Sequence, residues 1–540
     1  MQMVRGWRQV AIGTVFVLLV AACGSSERTN PITGQPVGAK SLTMALSAVP
    51  TNVDTAVLEG RPSLVVAQGV VSTLVRYTPA PSPGLALHSP QDLQTELAES
   101  FELNDDGSAV FTLREAVSPY GNTVTSADVA WSFDRMIELD GIARFLMWLG
   151  KIDQANPITV IDDRTFQLNV TERSILTVPV LTYYALGILD SVEAMKHTTD
   201  DDPFAATWLA KNSSTFGPYQ YDGVVPGEEI NLLKNPNYWN AADVDINRII
   251  MRSVPESGNR LLLIGAGGVD FVADLTFDLF SSVLGAEDLA LAFEDARDTN
   301  LDELSLNNTI APFDNPIVRQ AVSLAINREA LIEGAYAGFG VPGRYPLSTA
   351  IVQPEPPKDL AAGYDPERSR ELLAEAGLAN GFSFTLTINP QRPGPHAESV
   401  AVIIASQLRE VGIDVNIKVI ASQADFQTEV KGGELEGWLY SVRPVISDPA
   451  YVIPLLFAST GIGYEGYAND RIDELTDLIL AELPGPERDV YIAEAQTILA
   501  TEYPFVPLVE TIIPWVFTEG LEGAVPNPTG FLYPQDLVLP

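Results

Sequence analysis

Cysteine is almost absent from this chain, because Cys23 is the only one in 540 residues. No intramolecular disulfide can form, so the stability of the fold must come from the size of its hydrophobic core. Histidine is nearly as scarce, and His88, His197 and His396 are not spaced as metal ligands relative to one another or to the cysteine. The sequence therefore predicts no zinc site of the usual kind, no other metal and no cofactor.

Nucleotide-binding and esterase motifs are absent as well. The chain has no G-x-x-x-x-G-K-[ST] phosphate loop and no G-x-S-x-G nucleophile elbow. A G-x-G-x-x-G string does occur at 338–343, but it follows a predicted helix, whereas a dinucleotide-binding loop follows a strand and opens a helix. We predict an ordinary loop there. Paired glycosidase carboxylates stay open as an alternative, since 70 acidic residues offer many accidental pairs.

Basic residues are also few: 32 lysines and arginines stand against 70 acidic residues, for a net charge of −38. A chain so acidic repels phosphate backbones, which excludes nucleic acid as a partner. The uncharged run at 10–22 has thirteen residues, fewer than the roughly 20 that cross a bilayer as a helix. At roughly 150 residues per domain, the length predicts about three structural units.

The N-terminus has the pattern of a secretion signal. Two arginines and no acid precede the uncharged run, which ends in Val20-Ala21-Ala22-Cys23-Gly24 and is similar to a bacterial lipobox. In a lipobox, small residues before a cysteine suit the signal peptidase, and the thiol receives a diacylglyceryl group. We therefore predict a lipoprotein signal peptide at 1–22, lipid attachment at Cys23, and a flexible tether at 23–40.

The first half of the remaining chain has short strand and turn patterns. Alternating apolar residues predict a strand at 42–47. The runs 101–103 and 109–113 flank a turn with Gly107, so they predict a hairpin. A capping-box pattern at 125–128 predicts the start of a helix, and these elements together predict a compact α+β unit.

The second half has longer helical patterns. Asn315-Pro316 and Asp365-Pro366 each combine a capping residue with a proline at the first helical position. The runs 382–388, 399–411 and 413–419 then predict a strand, a helix and a second strand. Such a crossover is typical of a parallel or mixed sheet covered by helices.

Short motifs also recur along the chain in a specific order, over about 400 residues. They are Leu97-Ala98-Glu99-Ser100 through Arg114, Thr125 through Arg135, Phe216-Gly217-Pro218-Tyr219, Asn235 through Trp239, Gly267-Gly268-Val269-Asp270, Asn307 through Ala321, and Tyr467 through Leu508. Together with the lipobox, their order and spacing resemble the family 5 solute-binding proteins of ABC importers, the dipeptide/oligopeptide/nickel class.

The resemblance implies an α/β, two-lobed periplasmic-binding-protein type II fold, with mixed sheets flanked by helices. Lobe I would span 41–300 and contain an extra α+β subdomain at about 80–215. Lobe II would span 301–505, and 506–540 would return to lobe I. The composition changes near Asn300, which is why we place the boundary between the lobes there.

The resemblance also points to a ligand-binding segment. In peptide-binding members, a Gly-Trp pair is followed, three residues after the tryptophan, by an aspartate that holds the peptide's α-ammonium. After Trp438 in this chain, that position is Ser441, which cannot compensate a buried ammonium. Either Asp448 approaches from a lengthened loop, or the ligand has no ammonium there and Arg443 favours an anion. With Tyr440 as a second stacking ring, these five residues are the predicted ligand-binding set.

The function that the resemblance implies is that of a receptor, with no catalysis. The protein would be lipid-anchored at the extracytoplasmic face of the membrane, would capture a peptide or peptide-like solute by hinge closure between the lobes, and would deliver it to ABC permease subunits. We expect a monomer whose only contact with the membrane is the lipid anchor. Two alternatives stay open: the same fold binding a sugar, metallophore or other non-peptide solute, and a secreted lipid-anchored hydrolase.

Overall fold

The computed structural model describes most of the chain after the predicted tether. The described residues are 40–58, 61–78, 92–284, 286, 289–292, 297–351, 353–512, 514–524 and 532–540. The predicted signal peptide, Cys23 and all of the tether except Lys40 lie outside them.

The described residues form nineteen strands and fifteen α-helices. The strands are β1 (Ser41–Leu46), β2 (Val75–Tyr77), β3 (Leu93–Thr95), β4 (Ala98–Leu103), β5 (Ala109–Leu113), β6 (Ile158–Val160), β7 (Thr165–Leu168), β8 (Tyr219–Val225), β9 (Glu229–Lys234), β10 (Arg248–Ser253), β11 (Phe271–Val272), β12 (Leu289–Ala292), β13 (Arg297–Leu306), β14 (Val341–Pro342), β15 (Phe382–Ile388), β16 (Ile413–Val419), β17 (Gly437–Val442), β18 (Phe505–Ile512) and β19 (Trp515–Thr518). The helices are α1 (Arg61–Val70), α2 (Ser126–Glu138), α3 (Ile142–Leu149), α4 (Ser191–Ala194), α5 (Ala206–Leu209), α6 (Ser257–Gly265), α7 (Phe277–Ser282), α8 (Pro316–Leu324), α9 (Arg328–Ala335), α10 (Pro366–Glu375), α11 (Ala397–Glu410), α12 (Gln423–Gly432), α13 (Pro449–Leu456), α14 (Asp470–Ala481) and α15 (Pro486–Glu502).

Most of these strands belong to two large mixed sheets. The first has the order β12-β19-β11-β1-β10-β9-β8, and its β1 runs parallel to both β10 and β11. The second has the order β14-β18-β13-β17-β15-β16, and its β15 runs parallel to both β16 and β17. Because helices pack on these sheets, the predicted α/β architecture of mixed sheets flanked by helices is confirmed.

Local sequence signals account for several element boundaries. The backbone N–H of Thr125 donates to the Asp128 carboxylate at 2.8 Å, which forms the predicted capping box of α2. The side chains of Asn315 and Asp365 cap α8 and α10, and each is followed by a proline. In the β4–β5 hairpin, Gly107 has a φ of +90°, which a residue with a Cβ adopts only with strain. The predicted starts of these helices and the predicted hairpin are confirmed.

The predicted crossover of β15, α11 and β16 is also present, with the two strands parallel. On one face of the second sheet, Leu304, Leu386 and Leu439 pack in one core cluster with Val322 of α8 and Ile404 of α11. All five side chains are buried. Removing each from water contributes about 1.5–3 kcal/mol, so this core can hold the second sheet together without disulfides.

A smaller sheet lies within the segment predicted as an inserted subdomain. Its order is β4-β5-β7-β6, and α2 and α3 follow β5 in the chain. Phe111 stacks on Phe101 and on Phe166, with ring centroids 5.4 Å apart in each pair. The aromatic ladder gives this sheet an apolar face of its own, since each strand places alternate residues on that face.

The chain passes between the two large sheets twice. It leaves the first sheet after β12 and enters the second at β13, and it leaves the second after β18 and re-enters the first at β19. The sequence placed the return from residue 506, but β18 pairs with β13 and β14 as far as Ile512. Val506 and Leu508 are fully buried in the core of the second sheet, and this burial keeps β18 in that lobe. The return therefore starts after Ile512.

Candidate functional site

Several strand ends meet at one edge of the second sheet. The parallel strands β15 and β17 finish there, whereas β13 begins and β18 ends there, because β13 is antiparallel to both β17 and β18. Both passages of the chain between the sheets therefore lie at this edge. In open α/β sheets, ligands bind outside the carboxyl ends of parallel strands. We call it the carboxyl edge, and it is the candidate ligand site.

The two lobes are in contact in this structure. Phe277 of α7, in the first lobe, lies against Tyr336 and His396 of the second, with ring centroids 5.3 Å apart in both pairs. The backbone N–H of Ile175, in the predicted subdomain, donates to the carbonyl of Leu480 in α14 at 2.8 Å. Phe277 of the first lobe therefore lies beside the carboxyl edge, where His396 follows β15.

Two of the predicted ligand-binding residues stand at this edge. Ser441 lies at the end of β17 with 9% of its surface exposed, and its carbonyl accepts two hydrogen bonds from the guanidinium of Arg392, from Nε at 3.0 Å and Nη2 at 2.7 Å. Arg443 follows directly after β17 and is half-buried. The end of this strand thus has two arginines beside it and no carboxylate at position 441.

Arg392 is a candidate that the sequence analysis did not select. It follows β15, which ends at Ile388, and its guanidinium lies 3.8 Å from the ring centroid of Tyr440. Within the described part of the chain, no carboxylate forms an ion pair with it. A signal for this residue was present, because the sequence predicted β15 as part of a crossover, and the residues after such a strand lie at the carboxyl edge.

Tyr440 and Trp438 lie one and three residues before Ser441 in β17. They form a small apolar cluster with Phe426 and Val430 of α12, and Trp438 is only 1% exposed. The Tyr440 hydroxyl accepts a hydrogen bond from Gln427 Nε2 at 3.1 Å. The indole N–H of Trp438 has no hydrogen-bond partner among the described residues. The two rings are thus packed beneath the edge, and their contact with a ligand stays a prediction.

Asp448 lies in the loop after β17, where it has two partners within its own lobe. Its carboxylate accepts a hydrogen bond from the N–H of Ala450 at 2.7 Å, at the start of α13, and forms an ion pair with Arg488. Both charged side chains are almost fully buried. Burial raises the pKa of Asp448, while the charge and hydrogen bond of Arg488 lower it. A ligand contact of Asp448 stays a prediction.

A second group at the carboxyl edge was also missed. The Asp302 carboxylate accepts hydrogen bonds from the Tyr336 hydroxyl at 2.9 Å and from Asn300 Nδ2 at 2.9 Å, and it lies 2.8 Å from His396 Nε2. Burial raises the pKa of Tyr336, and the charge of Asp302 raises it further. These residues come from distant parts of the chain, so no local pattern connects them. They tie the start of β13 to the loop after β15.

A family model described as bacterial extracellular solute-binding proteins, family 5, middle region, matches residues 92–464. The chain belongs to this family. The predicted family is therefore confirmed, and family 5 proteins are solute-binding proteins of ABC importers and not enzymes. The hydrolase alternative is thereby excluded. In the part of this family 5 protein that the structure describes, no helix is long and apolar enough to cross a membrane.

Curated relatives match over most of their length. Heme-binding protein A of Haemophilus influenzae is 25% identical over 556 residues, which cover 95% of this chain and 96% of that protein. The glutathione-binding protein GsiB of Salmonella paratyphi A is 27% identical over 458 residues, which cover 81% of this chain and 84% of that protein.

A solved structure shows the same fold. The ABC transporter-associated periplasmic binding protein DppA of Helicobacter pylori, in complex with the peptide STSA, superimposes with a TM-score of 0.77 at 23% identity. The match covers 92% of this chain and 98% of that one. The predicted type II periplasmic-binding-protein fold is confirmed, and the protein belongs to an extracytoplasmic class.

Proposed function

We propose that this family 5 protein is a lipid-anchored receptor that captures a small, peptide-like solute with an anionic group at the carboxyl edge, between its two lobes. The observation that carries the proposal is the position of Arg392. Its guanidinium lies at the carboxyl edge, on Ser441 and Tyr440, and no described carboxylate forms an ion pair with it. A cation drawn partly out of water without a counter-charge is unfavourable, and an anionic solute would supply that charge.

The geometry of the arginine suits a carboxylate. Nε and Nη2 of Arg392 hold the guanidinium on the Ser441 carbonyl, while its Nη1 makes none of the hydrogen bonds found in the described residues. A planar guanidinium fixed in this way is prearranged to bind a carboxylate. It recognises the planar carboxylate more selectively than the ammonium group of a lysine would. Arg443 adds a second positive charge at the same edge. Ser441, by contrast, offers no negative charge to an ammonium.

The ligands named for the relatives agree with this polarity. A peptide, glutathione and heme all carry carboxylate groups, and they are named for the structural neighbour and the two curated relatives. These three ligands share an anionic group but otherwise differ in structure. A peptide-like acid therefore fits this protein better than an uncharged sugar.

Closure of the two lobes on the solute is part of the proposal. Two crossings at one edge allow the lobes to rotate about that edge, and the contact between Ile175 and Leu480 lies on surfaces that opening would separate. The closed form would be the one that the ABC permease recognises.

The ligand can be identified directly. We expect native mass spectrometry of the protein purified without denaturation to show a bound small molecule, and fragmentation to show that it contains a carboxylate or another acidic group. A bound neutral sugar, or a purely cationic molecule, would overturn the proposed ligand class while leaving the family assignment intact.

The anchor has a separate test. Cys23→Ala should remove the acyl chains and release the protein from membranes, and the fold should not change because no disulfide is lost. Intact-mass analysis and membrane fractionation measure both effects. An acyl-free N-terminus in the unsubstituted protein would contradict the anchor.

A further inference from the structure

Two buried carboxyl groups lie side by side beneath the carboxyl edge. Glu303 of β13 is 2% exposed and Glu465 is 6% exposed. The hydroxyl of Ser305 donates to Glu303 Oε1 at 3.2 Å. Just after β13, the backbone N–H of Asn308 donates to the carbonyl of Glu465 at 2.7 Å, which holds the Glu465 loop against this strand. Two neighbouring carboxyl groups that are both removed from water cannot both ionise at low cost, so one of them retains a proton above the usual pKa range for glutamate.

The charges that face Glu303 come from several elements. Burial raises the pKa of Glu303 well above its ordinary value, and the charge of Glu465 raises it further. The Ser305 hydroxyl and the positive charge of Arg392 lower the pKa, and the charge of Asp302 raises it. Burial also raises the pKa of Glu465, whose carboxylate is partly stabilised by Ser305 and by nearby backbone N–H groups. Arg392 is thus the cation whose charge acts on Glu303.

The position of Arg392 relative to the pair follows from strand pairing. Glu303 is directly opposite Tyr440 in the β13–β17 ladder, and the Arg392 guanidinium lies over the Tyr440 ring. Glu303 Oε2 is buried and has no hydrogen-bond partner among the described residues, so it is an acceptor for which no donor is supplied. An ionised Glu303 would therefore compete with Ser441 and with any bound anion for the guanidinium.

We infer that Glu303 is a positioning residue that controls Arg392. While Glu303 is protonated, Arg392 stays on Tyr440 and Ser441, where it can receive an anionic solute. When that proton is lost, the guanidinium moves onto Glu303, and the anion site weakens. The consequence for the solute rests on the proposed function, but the competition between Glu303 and Ser441 for Arg392 does not.

The test is a double-mutant cycle on the protein without solute. Glu303→Gln, Arg392→Gln and the double variant are unfolded in urea at two pH values that bracket the loss of the Glu303 proton, which infrared difference spectra locate. We expect the two single shifts in urea midpoint to add at the lower pH. At the higher pH, the midpoint shift of the double variant should differ from the sum of the two single shifts, because only then do Glu303 and Arg392 form an ion pair. Coupling of the same size at both pH values, or at neither, would overturn the inference.

Two further variants keep the test decisive if Glu303→Gln folds poorly. Glu465→Gln removes a repulsion that helps to hold the proton, so the shift in urea midpoint caused by Arg392→Gln should change at lower pH in this background. Glu429→Gln, at an exposed acid paired with Lys418, is the matched control and should leave the pH dependence unchanged. Infrared difference spectra should show a carboxylic acid that stays protonated above the usual range for glutamate in the unsubstituted protein and loses its proton at lower pH in Glu465→Gln, and the absence of such an acid would also overturn the inference.

These measurements fail independently of the proposed function. If the solute proves to bind away from Arg392, the pH-dependent coupling is still expected. If coupling is absent but a bound acid contacts Arg392, the receptor proposal stands and the proton control is wrong.

Discussion

The loops after β15 and β17 begin at the same carboxyl edge, yet their charges have different surroundings. In the loop after β17, Asp448 pairs with Arg488 and caps α13, so both charges are satisfied inside the second lobe. In the loop after β15, Arg392 is held by a backbone carbonyl and an aromatic ring, without a described carboxylate. The difference distinguishes a charge that is paired within the second lobe from a charge that we propose binds a solute.

The largest expected effect concerns Asp448, whose charge is paired with Arg488. Asp448→Ala leaves the Arg488 guanidinium buried without its partner and removes the cap of α13, so we expect a loss of about 3–5 kcal/mol in the free energy of unfolding. Asp448→Asn keeps a capping oxygen, so its free energy of unfolding should fall by less. Urea denaturation of the solute-free protein measures both. A loss below about 1 kcal/mol for Asp448→Ala would contradict the structural role and return Asp448 to the ligand site.

The next effect concerns Arg392, which forms no ion pair with a described carboxylate. Arg392→Gln should weaken binding of the co-purified solute by about 2–3 kcal/mol, because the solute's anion loses a charge-assisted hydrogen-bond partner. Arg392→Lys keeps the positive charge without the planar guanidinium, so its affinity should lie between those of the unsubstituted protein and Arg392→Gln. Isothermal titration calorimetry measures both affinities. Unchanged affinity in both variants would mean that Arg392 only supports the Ser441 carbonyl.

A smaller effect concerns the ring beneath the edge. Trp438→Ala would open a cavity and cost about 3–5 kcal/mol of stability, which would obscure any effect on binding. Trp438→Phe keeps an aromatic ring and removes an N–H that has no described partner, so we expect about 1 kcal/mol of lost stability and a smaller change in affinity. The measurement is urea denaturation combined with calorimetry. A large loss of affinity at unchanged stability would place the indole against the solute, as the sequence predicted.

The smallest effect is at the surface. Hydrogen bonds from Arg471 lower the pKa of Glu494, so the pair stabilises the fold above the ordinary carboxyl pKa, and this contribution fades as the pH falls through the lowered value. Since both side chains are 41% exposed, Glu494→Gln should cost about 0.2–1 kcal/mol at neutral pH and nothing in strong acid. Thermal melts as a function of pH measure the difference. A loss of stability in Glu494→Gln that grows as the pH falls would contradict the predicted direction of the pH dependence.

The fold was largely predictable because its signals are local. The capping box at Thr125 and Asp128 and the two Asx-Pro helix starts each involve neighbouring residues. The end of β18 was not predicted, because Val506 and Leu508 are held by a core whose other members lie far away in the chain.

The candidate site was only partly predictable for the same reason. The position of Ser441 and Arg443 at a strand end followed from the family motif, whereas the pairing of Asp448 with Arg488 depends on a helix 40 positions away in the chain. The backbone hydrogen bond between Asn308 and Glu465 requires the loop before α14 to fold back against the end of β13. Sequence patterns show which residues are polar, but not which of them receive partners inside the protein.

The central claim is that a solute's anionic group binds Arg392 at the carboxyl edge. A crystal structure of the protein with its co-purified solute tests this most directly. We expect an acidic group of the solute within hydrogen-bonding distance of the Arg392 guanidinium, with the Asp448–Arg488 pair intact. A solute bound through the Asp448 carboxylate, with Arg392 contacting only Ser441 and Tyr440, would contradict the claim.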